Sequence, residues 1–351
     1  MNIHEQYMQR CIELAEKGRQ FTAPNPMVGA IIVHNSIIIG EGFHRQYGSS
    51  HAEVEAINSV TDKNLLKEST MYVSLEPCNH QGKTPPCTSL IISSCIPEVI
   101  IASTDPNPTV SGNGIRILKE AGIKVTTDIL KDKADKLNSR FITFHTQQRP
   151  WIILKWAQSA DGFMDIERAK GEKGIVWISN SYTKQIVHQW RSEEAAILVG
   201  KNTALNDNPA LTTREWPGKS PLRLLIDRKF EVPSESTIYS SEAETWCFHD
   251  AQYTVPKHFS KNAKAVALDF SNDIIPQILS SLYQSGINSL IVEGGKFTLE
   301  KFISLKLWDE ARVISGNIRF GKGIYAPLLP CQPDTTQKIL DDTILYYYPK
   351  K

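Results

Sequence analysis

The 351-residue sequence contains no long apolar run, few cysteines and almost no net charge. A helix that crosses a bilayer needs about 20 consecutive apolar residues, so we expect no membrane partner. The 39 basic side chains are balanced by 38 acidic ones, which argues against the basic surface of a nucleic-acid-binding protein. No internal repeat or low-complexity tract interrupts the chain. These absences favour an ordinary globular protein with a small-molecule partner.

The six cysteines do not form a disulfide framework. They are scattered through a long chain with no secretory n-region or h-region at its start. Only Cys78 and Cys87 belong to a motif, and reduced thiols that are free to bind metal are the better interpretation. We therefore predict a cytoplasmic protein. The remaining cysteines are expected to be small core or surface residues: Cys11, Cys95, Cys247 and Cys331.

The first half of the chain alternates between helix-like and strand-like patterns. Apolar spacing predicts a helix over 3–17, a hairpin of strands over 28–33 and 37–42, and a helix that begins at His51. Further strands are predicted over 71–75, 99–103 and 125–127, and further helices over 88–94, 115–121 and 131–145. This order predicts an α/β fold.

A polar stretch, Gln147-Gln148-Arg149-Pro150, divides the sequence. It has the composition of a linker, and we predict domains over 1–146 and 150–351. Continuous apolar runs after it are typical of a sheet covered on both faces. Strands are predicted over 151–157, 195–199, 222–226 and 289–292, and helices over 180–190, 273–285 and 296–304.

The first chemical motif is His51-Ala52-Glu53, followed by Pro77-Cys78 and by Cys87. One imidazole and two thiols supply three zinc ligands and leave a fourth position for water, as in catalytic zinc sites. Glu53 is placed to take a proton from that water and return it to a leaving amine. Since residues i and i+2 do not share a helix face, His51 and Glu53 converge only if His51 stands at the helix start. The set predicts zinc-dependent deamination of a base ring.

Other interpretations of the same residues remain open. A closed structural zinc site would recruit His80 or His44 as a fourth ligand, although such a site has no use for a carboxylate at position 53. The site could also hold no metal. Two alternative functions remain. One is a nucleic-acid-editing zinc deaminase with a C-terminal binding module, and the other is an interaction domain that zinc stabilises and that catalyses no reaction. The near-zero net charge counts against the editing enzyme.

The second half contains neither a Gly-x-Gly-x-x-Gly fingerprint nor a Walker loop. Instead, Glu293-Gly294-Gly295 stands between a predicted strand and helix, where backbone amides can approach a phosphate; a plain tight turn fits equally. Arg191 and Arg214 are candidates for binding a substrate phosphate. Arg228 follows a predicted strand and is a candidate for the extra phosphate that separates NADP from NAD. Each arginine could also be a surface residue.

The motifs of the first half resemble the bifunctional riboflavin-biosynthesis deaminase/reductase family. The resemblance rests on residues 24–29, 51–53, 76–87, 105–108 and 112–114. The eight residues between Cys78 and Cys87 match that family rather than the shorter loop of cytidine deaminases. The resemblance implies a cytidine-deaminase-like zinc domain that deaminates a diamino-ribosylamino-pyrimidinone phosphate.

The resemblance also implies roles for individual residues. His51, Cys78 and Cys87 would bind Zn²⁺, and Glu53 would be the proton shuttle. The substrate pocket would be lined by Asn25, His44, His80, Lys83, Asp105 and Asn107. Asn25 and Asp105 are also ordinary turn residues, and Lys83 could be a solvated charge.

The second half resembles the reductase of the same family, which has a dihydrofolate-reductase-like fold and uses NADPH. The matching stretches are 155–162, 177–179, 200–203, 207–214 and 293–295. The implied reaction is hydride transfer to the ribose C1 of an opened sugar imine, which gives a ribitylamino product. NADPH contacts are implied for Ala157, Trp177, Thr203, Asp207 and Gly295, and substrate contacts for Arg191, Leu211, Arg214 and Glu293. Ile175, Trp156 and Ala160 depart from the family pattern. Family members suggest a homo-oligomer.

Overall fold

Two large sheets, each with its own core, form in the residues that the computed structural model describes, 2–79, 85–107, 110–169 and 173–349. The chain divides into two units, Met1–Gln148 and Arg149–Lys351. Arg149 is bound within the second unit, since its guanidinium donates two hydrogen bonds to Asp309, one of them of 2.8 Å. Asp309 also accepts a hydrogen bond from the Ile152 amide. No helix among the described residues is both long and apolar enough to cross a bilayer.

The first unit contains a five-stranded sheet of order β2-β1-β3-β4-β5, in which β1 runs antiparallel to both neighbours and β3, β4 and β5 are parallel. A 3₁₀ helix spans Lys63–Glu68. The strands and α-helices are α1 (Ile3–Glu16), β1 (Gly29–His34), β2 (Ile37–Phe43), α2 (Ala52–Ser59), β3 (Thr70–Val73), α3 (Cys87–Ser93), β4 (Glu98–Ile101), α4 (Asn113–Glu120), β5 (Lys124–Thr126), α5 (Lys131–Leu137) and α6 (Ser139–Gln147).

Both faces of this sheet are covered. Successive side chains of a strand point to opposite faces, so Ala30 and Ile32 of β1 pack in a cluster with α2 and α3, whereas Ile31 packs with α1 on the other side. Helix α2 lies directly on β2, because β2 has glycine at positions 40 and 42. The first turn of α2 is thereby held at one end of the sheet.

The second unit contains a nine-stranded sheet of order β11-β10-β9-β8-β12-β6-β13-β16-β15 and a two-stranded sheet of β7 and β14. The large sheet is parallel up to β13, and β16 and β15 pair antiparallel at one edge. A 3₁₀ helix spans Thr237–Tyr239. The strands and α-helices are β6 (Trp151–Gln158), β7 (Phe163–Asp165), α7 (Ser181–Glu193), β8 (Ala196–Gly200), α8 (Lys201–Asp207), β9 (Leu222–Ile226), β10 (Thr245–Asp250), β11 (Ala263–Leu268), α9 (Ile274–Gln284), β12 (Ser289–Val292), α10 (Lys296–Ser304), β13 (Glu310–Ser315), β14 (Ile324–Tyr325), β15 (Thr335–Ile339) and β16 (Asp342–Tyr347).

The predicted helices and strands are present, most of them with shifted ends, and two need correction. The helix predicted to begin at His51 begins at Ala52, and His51 is its extended N-cap residue. The single helix predicted over 131–145 is two helices that meet at Asn138. The side chain of Asn138 accepts a hydrogen bond from the Met27 amide (2.8 Å) and donates one to the Met27 carbonyl (2.9 Å). This contact with a distant segment coincides with the break.

Seven strands of the second unit were missed: β7 and β14 of the small sheet, and β10, β11, β13, β15 and β16 of the large sheet. Polar side chains interrupt the apolar pattern of those in the large sheet. In β13, for example, Glu310 and Arg312 are buried and pair with each other, with 2.7 Å between Arg312 Nε and Glu310 Oε1. Buried polar groups with partners are compatible with a core strand, but their pairing is not visible in the local sequence.

We expect Gly42→Ala to displace α2 from the sheet. A Cβ atom at position 42 would lie 2.3 Å from the Ala56 nitrogen and 2.5 Å from the Ala52 oxygen. Overpacking of this kind lowers the free energy of unfolding by about 1–3 kcal/mol, which denaturant titration would measure. Ile37→Ala on the same strand is the control, since Ile37 is 65% exposed. Equal stability of wild type and Gly42→Ala would contradict the close packing of α2 on β2.

Candidate active sites

Three side chains with metal-ligand chemistry meet in the first unit. His51 caps α2, Cys78 follows β3, and Cys87 is the first residue of α3. The Nδ1 atom of His51 lies 3.3 Å from Cys87 Sγ and 3.5 Å from Cys78 Sγ, and the three ligand atoms lie within 4.8 Å of one another. Tetrahedral zinc with bonds of about 2.0–2.3 Å places its ligand atoms roughly 3.5 Å apart. The donor set and its spacing therefore fit zinc.

The protons of these side chains are shared over short distances. The pKa of Cys78 is lowered to about 4, first by the hydrogen bond from Cys87 and then by that from His51. The pKa of Cys87 is raised, because its proton is held by Cys78 and because it is buried. A site that already favours a thiolate suits a cation, since metal ligands must be deprotonated.

Glu53 lies in the first turn of α2 beside this group. Its side chain is 3% exposed, and burial raises its pKa to about 7, while the charge of His51 acts in the opposite direction. The neighbouring Cys87 side chain also acts to lower this pKa. A carboxyl group that titrates near neutral pH can both accept and donate a proton during a reaction. The predicted convergence of His51 and Glu53 at the helix start is therefore present in the structure.

His44 lies beside the metal-ligand group without joining it. Its Nδ1 atom lies 3.0 Å from the Ser50 carbonyl, and its Nε2 atom lies 3.2 Å from the side-chain amide of Asn25. Burial lowers the pKa of His44, so the neutral ring donates to Ser50 and accepts from Asn25. Both ring nitrogens are therefore engaged, which argues against His44 as a fourth ligand. His80 and Lys83, the other expected contacts of this region, lie outside the described residues.

Glu76 is a functional candidate that the sequence reasoning missed. Its buried carboxylate accepts hydrogen bonds from the amides of Asp105 (3.2 Å), Gly112 (3.0 Å) and Ile115 (3.1 Å). It thereby links the segment of Cys78 to the loop of Asp105, whose Oδ1 atom accepts from the Asn107 amide at 2.8 Å. The available signal was a carboxylate at the end of an apolar strand, because a buried charge needs partners.

A cleft of about 860 Å³ opens in the second unit, where β8, β9 and β12 end. Open parallel sheets bind ligands beyond the carboxyl ends of their strands. The predicted contacts that line it are Thr203, Asp207, Arg228, Glu293 and Gly295, and Ile175 lines it as well.

The two loops that form the floor of this cleft approach each other closely. The Gly295 amide donates a hydrogen bond to Thr203 Oγ1 at 3.0 Å. A Cβ atom at Gly294 would lie 3.0 Å from the Gly200 nitrogen and 3.2 Å from Thr298 Cβ. A side chain at position 294 would therefore push these loops apart by a few tenths of an ångström, and glycine lets the start of α10 lie at the cleft.

A buried charge cluster lies at the inner end of this cleft. Glu293 pairs with Arg191 (2.9 Å from Oε2 to Nη2) and with Lys155 (3.6 Å from Oε2 to Nζ). Burial acts to raise the pKa of Glu293, but Arg191 and Lys155 outweigh it and hold this pKa at about 2. Burial lowers the pKa of Lys155. Sequence reasoning did not assign Lys155 a role, although a lysine within the apolar strand 151–157 was a usable signal.

Arg191 also connects the charge cluster to the loop 208–214. Its Nη1 atom donates to the Thr212 carbonyl at 3.4 Å. In the same loop, the amide of Arg214 donates to His188 Nδ1 at 3.1 Å. Burial, reinforced by Arg191 and Arg214, lowers the pKa of His188 to about 4, so its ring is neutral and Nδ1 can accept. Leu211 lies in this loop with a 2% exposed side chain.

The remaining predicted contacts are less closely grouped. Arg228 lines the cleft with its Nε atom 2.9 Å from Asp250 Oδ2, so it is already paired. Trp177 is 57% exposed, and the ammonium of Lys184 lies 4.7 Å from its ring centroid. Ala157 lies in β6 opposite Ile314 of β13. Trp177 and Ala157 are not among the residues that line the cleft.

Comparison with known protein families finds a match over each unit. The family described as "Cytidine and deoxycytidylate deaminase zinc-binding region" matches residues 1–103. The family described as "RibD C-terminal domain" matches residues 150–347. These matches confirm the predicted α/β fold class, with a cytidine-deaminase-like zinc domain followed by a dihydrofolate-reductase-like domain.

Relatives and solved structures resemble the chain over almost its whole length. The riboflavin biosynthesis protein RibD of Bacillus amyloliquefaciens is 40% identical over 332 residues, which cover 93% of this chain and 88% of the relative. A RibD structure from Acinetobacter baumannii has a TM-score of 0.88 at 28% identity and covers 99% of both chains. The diaminohydroxyphosphoribosylaminopyrimidine deaminase/5-amino-6-(5-phosphoribosylamino)uracil reductase of Thermotoga maritima has a TM-score of 0.85 at 35% identity, with 99% of both chains covered.

We expect Asp207→Asn to remove a pH dependence of stability from the second unit. Burial raises the pKa of Asp207 to about 6, and Asp165 acts in the same direction. Because the folded state holds this proton more tightly than the unfolded state, the group contributes stability at low pH that is lost as pH rises through about 6. The thermal midpoint of the variant relative to wild type should therefore rise between pH 4 and 7. Asp341→Asn, at an exposed position, is the control, and a pH-independent difference for Asp207→Asn would refute the buried-carboxyl account.

Proposed function

The chain belongs to the bifunctional deaminase/reductase family of riboflavin biosynthesis, and from that membership we propose how its residues divide the two reactions. The protein is a zinc-dependent deaminase and an NADPH-dependent reductase. We assign deamination to a domain of residues 1–146 and reduction to a domain of residues 150–351. The two family matches, over 1–103 and 150–347, and the division between Gln148 and Arg149 support this assignment.

The proposed first substrate is a diaminohydroxyphosphoribosylaminopyrimidine, as named for the similar enzyme of Thermotoga maritima. Hydrolysis would break the bond between a ring carbon and its exocyclic amino nitrogen. A water oxygen would be added to that carbon, and ammonia would be released. The reductase would then act on the deaminated product. The single observation that carries the proposal is the meeting of His51, Cys78 and Cys87 beside the buried Glu53.

In the deaminase domain, His51 through Nδ1 and the thiolates of Cys78 and Cys87 would hold Zn²⁺. When bound, zinc supplies the Lewis acidity that activates a water molecule. Glu53 would take a proton from that water and deliver it to the departing amine, for which a pKa of about 7 is well matched. Metal binding would also release the one proton that Cys78 and Cys87 share.

The side chains that surround the metal-ligand group are the proposed substrate contacts of the deaminase. The neutral His44, fixed between Asn25 and Ser50, would contact the pyrimidine together with Asn25. Asp105 and Asn107 would contact it from the loop that Glu76 anchors. His80 and Lys83 are proposed as further contacts on the resemblance alone.

In the reductase domain, the cleft at the carboxyl ends of the strands would bind NADPH. When bound, NADPH supplies the hydride. Thr203, Asp207, Arg228 and Gly295 would contact the cofactor, since they line the cleft. Ala157 and Trp177 are proposed as cofactor contacts on the resemblance.

The substrate of the reductase would bind beside the buried charge cluster. Arg191 and Glu293 are already paired there, and Arg191 contacts the loop of Leu211 and Arg214. We add Lys155 to this group, because its ammonium lies 3.6 Å from Glu293. A cationic and an anionic group in a buried site can orient the hydroxyl groups of a ribosyl chain.

The nucleic-acid-editing alternative is not favoured. The net charge of +1 leaves no overall excess of basic side chains, and the second unit matches a reductase family rather than a binding module. We propose a cytoplasmic enzyme with a small-molecule substrate, consistent with free cysteines throughout the described residues. The homo-oligomer implied by the resemblance stays a prediction.

We expect Glu53→Gln to retain zinc and to lose deamination. The amide keeps the shape of the side chain but cannot carry the proton, so the deaminase kcat should fall by about 10²–10⁴-fold. Metal analysis would show unchanged zinc content, and NADPH oxidation with the deaminated pyrimidine should persist. Glu55→Gln is the matched control, since Glu55 lies in the same helical turn and pairs with Arg45 at 3.3 Å. Full deaminase turnover by Glu53→Gln would reject the assigned role.

We expect Arg228→Ala to weaken NADPH binding more than NADH binding. A charge-assisted hydrogen bond to a phosphate is worth about 1.5–3 kcal/mol, which corresponds to roughly 10–100-fold in KM. Steady-state kinetics with both cofactors would measure the two effects. Lys229→Ala is the control, because Lys229 lies next in the chain but does not line the cleft. An equal loss for NADPH and NADH would exclude contact with the additional phosphate.

A further inference from the structure

A fully buried arginine lies in β9, beneath the loop 208–214 of the reductase domain. Arg223 is 0% exposed, and each of its hydrogen bonds within the described residues ends on a neutral oxygen. The acceptors are Thr245 Oγ1, Ser240 Oγ and the carbonyl oxygens of Ala210, Thr237, Ser240 and Ala243. A guanidinium buried without a carboxylate partner is unfavourable unless its donors are satisfied. These acceptors lie in β10, in the segment 237–243 and in the loop 208–214, so Arg223 joins these parts of the chain.

One hydrogen bond of Arg223 reaches the loop 208–214 itself. Its Nη1 atom donates to the Ala210 carbonyl at 3.3 Å, and the same atom donates to Ser240 Oγ at 3.0 Å. A second link joins the same two segments, since the Thr237 amide donates to Asn208 Oδ1 at 2.7 Å. The segment 237–243 and the loop 208–211 are therefore connected twice, through Arg223 and through Asn208.

The loop needs such support because its backbone is strained. Asn208 has a φ of +40° and Leu211 a φ of +55°, in the left-handed region that residues other than glycine rarely adopt. Conformations of this kind persist only where the surrounding structure holds them. On the other side of the loop, α7 holds Thr212 through Arg191 and the Arg214 amide through His188. Arg223 and Asn208 supply the support from β9 and the segment 237–243.

We propose that Arg223 and Asn208 are positioning residues of the reductase, which together hold the loop 208–214 so that Leu211 and Arg214 are in place before the pyrimidine binds. The inference rests on the proposed roles of Leu211 and Arg214 as substrate contacts. Arg223 itself touches neither substrate nor cofactor in this account. Its effect is preorganisation, which lowers the ordering that substrate binding would otherwise require.

The test compares Asn208→Gly, Arg223→Lys and wild type. Glycine retains the left-handed backbone at position 208 and removes only the acceptor for Thr237, while lysine keeps the charge of Arg223 and removes the forked hydrogen bonds. We expect KM for the deaminated pyrimidine to rise by roughly tenfold in both variants, with KM for NADPH and deaminase turnover unchanged. If Arg223→Lys does not fold, KM of Asn208→Gly for the deaminated pyrimidine alone tests whether the loop is held in place.

The control is Asn262→Ala. Asn262 donates a hydrogen bond to the Tyr239 carbonyl at 3.1 Å and so binds the same segment without involving the loop 208–214. This variant should leave KM for the pyrimidine unchanged. A lower melting temperature in Asn208→Gly with an unchanged KM would show a merely structural role and overturn the inference.

Hydrogen exchange of the ligand-free protein separates this inference from the proposed function. We expect the amides of residues 211–213 to exchange faster in Asn208→Gly than in wild type or Asn262→Ala. Equal exchange in all three proteins would overturn the inference whatever the kinetics show. Failure of wild type to oxidise NADPH with the deaminated pyrimidine would instead count against the proposed reductase substrate.

Discussion

The start of α2 determines where the chemistry of the first domain can take place. His51 is the extended N-cap residue, whereas Glu53 already lies in the helix, so the two side chains converge although they are only two residues apart. This arrangement depends on the close packing of α2 on β2, which positions 40 and 42 permit because they carry no side chain. The thiols then meet His51 from the segment that follows β3 and from the first residue of α3. The ligand group is thus assembled from three chain segments whose ends the sheet brings together.

A different constraint organises the second domain, namely the burial of charge. Glu293, Arg191 and Lys155 come from the end of β12, from α7 and from β6, and the carboxylate of Glu293 offsets part of the charge of both cations. Low local polarity strengthens such interactions and makes an unpaired member unfavourable. The cluster therefore ties three secondary-structure elements to one point of the cleft. The loop 208–214 is joined to the same point through Arg191.

The sequence predicts those parts of the structure whose cause is local. Strands Leu222–Ile226 and Ser289–Val292 are continuous apolar runs, and both were predicted with their observed bounds. Strand Thr245–Asp250 was not, because its polar side chains are buried by partners elsewhere in the chain. The same limit applies to the sites. The ligand group could be found from its motif, whereas the roles of Glu76 and Lys155 depend on Ile115 and Glu293, which are distant in sequence.

The place where the two units divide has a consequence for how such enzymes can arise. Helix α6 ends at Gln147, the following residue Gln148 has a left-handed backbone, and Arg149 is already held by Asp309. Each half has its own sheet and its own buried clusters. A gene could therefore be split or fused at this junction without dividing either sheet or any of these clusters. The two activities could then be encoded on one polypeptide or on two, with each sheet and its buried clusters kept whole.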